Sequence, residues 1–191
     1  MRDALNEAGE GGLPLDSAGT NVGTSRDAMR DEIGILARRR IEAGIIAPIY
    51  AAMCERIGEA AAQEILDLAI RRAAIEAGRA FAAKTPGGTT LRTFQELQEL
   101  WTQDDALQIE VVKASDTEFD YNVIRCRYAE MYQSMGLGHI GHLLSCNRDG
   151  TFCQGYNPDI TLERSQTLMG GGTHCDFRYR TKPQVPSEQA G

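Results

Sequence analysis

The stretch Leu168–Arg180, LMGGGTHCDFRYR, sets three consecutive glycines in front of His174, Cys175 and Asp176. An imidazole, a thiol and a carboxylate are the groups of acid–base and nucleophilic catalysis. The glycines permit close backbone approach and leave N–H groups free to stabilise an oxyanion or a bound carboxylate. A plainer reading stands beside this one: a glycine-rich turn feeding an edge strand, with Cys175 as a small buried hydrophobe. In a strand, Cys175, Phe177 and Tyr179 share one face while His174, Asp176 and Arg178 share the other, so His174 is poorly placed to serve its neighbouring thiol. No Gly-Lys-Ser/Thr follows, which excludes a phosphate-binding P-loop.

All three histidines and four of the five cysteines fall between residues 126 and 176, so the C-terminal half carries the candidate chemistry. In HIGHLLSC, His139, His142 and Cys146 would lie within about 60° on one face of an ideal helix, a metal-ligand geometry. Gly138 and Gly141 weaken that helix, and no H-E-x-x-H pattern accompanies it. A metal-dependent hydrolase on these three residues is therefore an alternative, and the expectation is that no metal and no cofactor is bound. In SCNRDGTFCQGYNPDI, the Asp149-Gly150 pair and Gly155–Pro158 predict a polar loop between Cys146 and the next strand.

The elements that must position these groups follow from periodicity. Met29, Ile33 and Leu36, then Ile65 and Leu68, recur at helical spacing from Ser25 to Lys84, and Pro48 and Gly58 should divide this region into two or three helices. Thr93-x-x-Glu96 predicts a capping box opening a short helix that turns Phe94, Leu97, Leu100 and Trp101 to one side. LQIEVVKA and FDYNVIRC alternate as an antiparallel hairpin, and Arg127–Met135 returns to helix before Gly136. ITLERSQT and CDFRYR supply two more strands. The order predicts an α+β fold in which an N-terminal helical region packs with a C-terminal antiparallel sheet and helices. One domain is expected over 25–181, with a helical half at 25–84 and a mixed half at 90–181; residues 1–24 and 182–191 read as flexible tails.

The chain has 191 residues, 42% hydrophobic and 25% charged, with a formal charge of -7. The charge disfavours nucleic acid as a partner, and no run is long and apolar enough for a membrane helix. An N-terminus without a signal peptide's apolar core predicts the cytoplasm. Five irregularly spaced cysteines argue against a disulfide framework. Self-association into a homo-oligomer is left open.

RCRYAEMYQSMGL, followed by SCNRD, GYNPDITLERSQTLM and HCDFRYR, resembles the L-2-amino-thiazoline-4-carboxylic acid hydrolase family, over about residues 30–180. The resemblance implies a hydrolase that opens a small cyclic amide or amidine at a C–N or C=N bond, as in conversion of 2-amino-thiazoline-4-carboxylate to N-carbamoyl-cysteine. Its matching polar positions are Cys146, Arg148, Asp149, Asn157, Asp159, Arg164, Thr167, Cys175 and Asp176; His139 and His142 lie outside the pattern. The residue types themselves allow Cys175 to act as nucleophile or beside an attacking water, with His174 or an arginine depressing its pKa. Asp149 or Asp176 would serve as general base or acid, and Arg164 or Arg148 would hold a carboxylate. Cys146, Asn157, Asp159 and Thr167 complete the expected substrate contacts. The rivals are a binding protein without catalysis and a thiol redox protein, the latter lacking a C-x-x-C.

Overall fold

The computed structural model describes residues 33–181, so both expected tails and the start of the domain at residue 25 lie outside the described residues. Helix α1 (Ile35–Ile57) runs without interruption through Pro48, so of the two expected break points only Gly58 divides the region, which holds two helices among the described residues. Pro48 and Gly44, whose carbonyl loses its partner there, are both exposed, so water can satisfy that group, while buried Ala43 and Tyr50 fasten the helix on either side. Gly58 does end the helix, with φ at 83°.

Helix α2 (Glu59–Ala83) buries Ala62, Leu66, Ile70, Ala74 and Gly78, an i, i+4 ladder rich in small residues. Ile65 and Leu68, the large apolar residues that marked the helical spacing, are each 50% exposed. The helix was legible, but its buried side is chosen by close helix approach rather than by side-chain size.

Next come α3 (Leu91–Glu96) and α4 (Gln98–Thr102). The capping box lies one turn before the expected one: Thr90 adopts an extended backbone and exchanges hydrogen bonds with Thr93, which is the third helical residue rather than the cap.

Strands β1 (Leu107–Ala114) and β2 (Glu118–Cys126) form the expected antiparallel hairpin. Helix α5 (Arg127–Ser134) follows, and Gly136 closes its end with φ at 73°. A π-helical turn, His142–Cys146, leads into α6 (Asn147–Tyr156). The loop expected over Cys146–Asp159 is thus mostly helix. Thr151, Phe152, Cys153 and Tyr156 are buried, and this packing overrides the turn preference of Asp149-Gly150. Helix α6 lies against α2 so closely that a Cβ on Gly155 would stand 2.0 Å from the Ile75 carbonyl oxygen.

Strand β3 (Ile160–Glu163) ends earlier than the sequence pattern suggests, and β4 (Cys175–Thr181) closes the described residues. The sheet is antiparallel in the order β1-β2-β4-β3, so the fold is α+β. Its inner face is aromatic: Phe119 and Tyr121 of β2 and Phe177 and Tyr179 of β4 pack with Phe94, Phe152 and Tyr156. A second cluster joins α1, α2, α5 and the π-helical turn around Tyr50, Leu66, Tyr132 and Ile140. Among the described residues no helix is long and apolar enough to cross a membrane.

Candidate functional site

The site is assembled where the π-helical turn, the start of α6 and the loop between β3 and β4 meet. A π turn inserts an extra residue into the helical repeat, and such turns recur at functional sites. Here it presents both His142 and Cys146 to a cavity of about 600 Å³, which Asn147, Arg164, Ser165 and Gln166 also line. A neighbouring cavity of about 410 Å³ shares the wall formed by Cys146, Asn147 and Arg164.

Arg164, the first residue beyond β3, is central to that wall. Its Nη1 donates to Asp149 Oδ2 at 2.6 Å, its Nη2 donates to the Cys146 carbonyl at 3.1 Å, and its guanidinium lies 4.9 Å from the centre of the Phe177 ring. The side chain keeps 15% of its surface exposed. Desolvation would favour losing its proton, but Asp149 more than offsets this and keeps the guanidinium charged. Asp149 responds oppositely: desolvation pushes its carboxyl up more than Arg164 pulls it down.

Behind this pair is a second ionic group. Arg148 Nε donates to the Leu144 carbonyl at 2.8 Å, and its Nη2 reaches Glu42, which also pairs with Arg39 at 2.6 Å. Burial, followed by the neighbouring Arg39, lowers Arg148 to about 10. Arg39, Arg148 and Arg164 all act on Asp149, and Glu42 pairs with both Arg39 and Arg148. A wall this rich in guanidinium groups suits an anionic ligand.

The thiols are shifted away from reactivity. Desolvation pushes Cys146 up to about 12 and Cys126 up to about 11. Cys175 is only 5% exposed, accepts the Leu168 N–H at 3.2 Å, and is likewise pushed up by burial. The depressed thiol expected of a nucleophile is therefore absent at Cys175: His174, the residue before β4, is engaged by Gln166 and Thr173, and Arg164 acts too weakly to offset desolvation.

Asp176 is an anchor for the adjoining loop. It accepts the Ser165 hydroxyl at 2.7 Å and the N–H groups of Ser165 and Gln166 at 3.0 and 2.8 Å. Desolvation opposes its ionisation, but these bonds outweigh that and hold it at about 2. This clamp also explains the early end of β3, because the N–H groups of Ser165 and Gln166 bind a side chain instead of a strand.

The glycine loop differs from expectation in a similar way. The N–H groups of Gly170 and Gly172 donate to the Thr167 carbonyl, and that of Gly171 donates to Leu168, so the three are occupied within the turn. Gly171 alone of the three has a positive φ, 87°.

Of the residues singled out from sequence, Cys146, Arg164 and Thr167 line the larger cavity, as does His142. Asp149 and Arg148 lie behind the wall and act through Arg164 and Glu42. Asn157 instead ties its turn to the Thr89 carbonyl, and its side-chain oxygen accepts the Asp159 N–H within that turn. His174 contacts Gln166 and Thr173. His139 packs at 6.0 Å on Tyr50 while His142 turns to the cavity, and among the described residues no three His, Cys, Asp or Glu side chains are grouped to hold a metal. Sequence reasoning missed Asn147, Gln166 and Asp67. Asp67 accepts from Asn147 at 2.6 Å across 80 positions of chain, a proximity without a local signal.

The chain belongs to the L-2-amino-thiazoline-4-carboxylic acid hydrolase family, whose model matches residues 38–179. No curated protein matches it. Among solved structures, it resembles the phenol-responsive sensory domain of the transcription activator PoxR with phenol, at 8% identity and a TM-score of 0.47, covering 74% of this chain and 75% of that one. It also resembles a trafficking protein particle complex subunit 3 from Naegleria fowleri covalently bound to palmitic acid, at 13% identity and a TM-score of 0.42, covering 75% of this chain and 96% of that one.

Proposed function

We propose that this protein is a hydrolase that opens a small cyclic amidine or amide bearing a carboxylate, with 2-amino-thiazoline-4-carboxylate as the reference substrate. The observation that carries the reading is Arg164: a mostly buried guanidinium in the wall of both cavities, with Arg148 and Arg39 near enough to act on the same Asp149. A substrate carboxylate would find a guanidinium partner there. Asp149 holds Arg164 from behind, and the side-chain amides of Asn147 and Gln166 offer donors and acceptors to the ring.

For the reference substrate, water adds to the carbon of the C=N bond. The π electrons move to the ring nitrogen, which takes one proton from the water. As the new oxygen becomes a carbonyl, the ring C–S bond breaks and the sulfur takes the second proton, giving N-carbamoyl-cysteine. The attacked group is the C=N, but the bond that yields is C–S. The high thiols of Cys146 and Cys175 favour water over a covalent thiolate route. We place the reaction in the cytoplasm, as the odd number and irregular spacing of the cysteines suggest.

The test is incubation with L-2-amino-thiazoline-4-carboxylate, followed by thiol titration and mass spectrometry. A new thiol and a product heavier by one water support the reading. Saturable binding without product would establish the binding-protein alternative.

A further inference from the structure

We propose that Asn147 and Gln166 read the substrate ring as an amidine, Asn147 accepting a hydrogen bond from the exocyclic amino group and Gln166 donating one to the ring nitrogen, and that Asp67 is the positioning residue that sets this pattern. The inference deepens the hydrolase reading and rests on it for the choice of ring. It divides the substrate class: the amino-substituted ring is accepted, and the corresponding cyclic amide, with a carbonyl in place of the amino group, is refused.

A side-chain amide has a donor end and an acceptor end, and its partners decide which end points where. Both amides at the larger cavity have a partner whose own role is fixed. Asn147 Nδ2 donates to Asp67 Oδ1 at 2.6 Å, while the other Asp67 oxygen accepts Arg71 Nε at 2.7 Å. An ionised carboxylate only accepts, so the amide nitrogen of Asn147 must face Asp67. Asn147 Oδ1 is the end left over. It has no hydrogen-bond partner among the described residues, and because no buried side-chain oxygen or nitrogen among them is unpaired, this oxygen is open. Asn147 lines both cavities, so the open acceptor belongs to the wall that they share. Gln166 is fixed the other way round. Its Oε1 accepts the Thr173 N–H at 3.2 Å, a group that can only donate, which leaves Nε2 as the donor end. Nε2 lies 3.4 Å from the His174 ring nitrogens and keeps a second hydrogen for the cavity that Gln166 lines. One acceptor and one donor match the uncharged 2-amino ring, whose amino group donates and whose ring nitrogen accepts. The 2-oxo ring reverses both roles, since its carbonyl accepts and its ring N–H donates, and each polar end would meet its like. A mismatch of this kind leaves desolvated polar groups unpaired, which is the basis of strong discrimination.

The experiment compares L-2-amino-thiazoline-4-carboxylate with L-2-oxothiazolidine-4-carboxylate in the full chain, since both release a thiol on ring opening. The wild-type protein should favour the amino ring about 100-fold or more in kcat/KM. Asp67→Asn supplies the sharper readout. Arg71 needs an acceptor, so the new amide keeps its oxygen on Arg71 and turns its nitrogen to Asn147, which must then turn its own oxygen to position 67 and its nitrogen to the cavity. The preference should fall about tenfold or more, with kcat/KM for the oxo ring unchanged or raised, whereas a merely structural role for Asp67 would lower both rings alike. A wild-type preference below about threefold, or an Asp67→Asn variant that loses both rings in proportion, overturns the proposal. If neither ring releases a thiol, the hydrolase reading fails and the ratio of the two Kd values, measured by calorimetry, decides this one. A preference for the amino ring that Asp67→Asn erases upholds the amide pattern; equal or undetectable binding overturns it.

Discussion

Two places in this molecule depend on glycine for opposite reasons. Where α2 crosses α6, Gly78 and Gly155 are ordinary helical residues whose lack of a side chain lets the backbones touch; a Cβ on Gly78 would meet the Phe152 carbonyl oxygen at 2.3 Å. In the Gly170–Gly172 loop, Gly171 has open space around its missing Cβ and is needed for its φ of 87°. One site is sterically closed and the other conformationally strained. The closed site carries the greater energetic weight because backbone cannot yield as a side chain can. It also fixes α6, and with it Cys146 and Asp149, against the helical layer, whereas the loop governs only the cavity rim.

The largest effect should come from Gly155→Ala. The added methyl meets Ile75 backbone at 2.0 Å, so the helices must separate, at about 3 kcal/mol of stability in chemical denaturation. A loss below about 1 kcal/mol would mean that the crossing is adaptable and the contrast with the loop is lost.

Asp149→Asn keeps the side-chain shape but removes the charge facing Arg164. Turnover of the reference substrate should fall by roughly 30-fold, equivalent to about 2 kcal/mol, with thermal unfolding changed much less. A fall in melting temperature as large as that of Gly155→Ala would instead assign Asp149 to the framework that the crossing supports.

Gly171→Ala should cost about 1 kcal/mol, the penalty for placing a Cβ at positive φ, and Gly171→Asn should cost less because asparagine tolerates that region. Equal losses for the two, measured by thermal unfolding, would show that space rather than conformation limits the loop.

The smallest effect is electrostatic. The folded state lowers Asp176 from 3.8 to about 2, so its contribution is present above the ordinary value and disappears as pH falls from about 4 to about 2. Because solvent screens this group, the effect should be about 1 kcal/mol or less. Asp176→Asn should flatten that portion of the pH–stability curve and loosen the Ser165–Gln166 turn, which hydrogen exchange at those two amides would register.

Local rules reached far into this fold. Period-two alternation placed Phe119, Tyr121 and Val123, and Cys175, Phe177 and Tyr179, on the buried faces of β2 and β4, because side-chain direction in a strand is fixed by the backbone alone. Gly58 and Gly136 marked helix ends for an equally local reason, the positive φ that glycine accepts readily. The failures share a different cause. Pro48 and Asp149-Gly150 carry local signals against helix, and packing on both sides overrode them. Ile65 and Leu68 gave the helix but not its buried side, because the helices pack largely through alanine and glycine.

By itself, then, the amino-acid sequence determined the family, the α+β class, the hairpin, the strand faces and the concentration of reactive groups in the C-terminal half, all of which follow from local backbone preference, periodicity or motif. Only the tertiary structure decided which of those groups face a cavity and what their surroundings do to them. Desolvation raises the thiol of Cys175, hydrogen bonds from a neighbouring loop hold Asp176 ionised, and Asp67 meets Asn147 across 80 positions. Burial and charge proximity depend on atoms brought together by folding from distant parts of the chain, so no short segment encodes them.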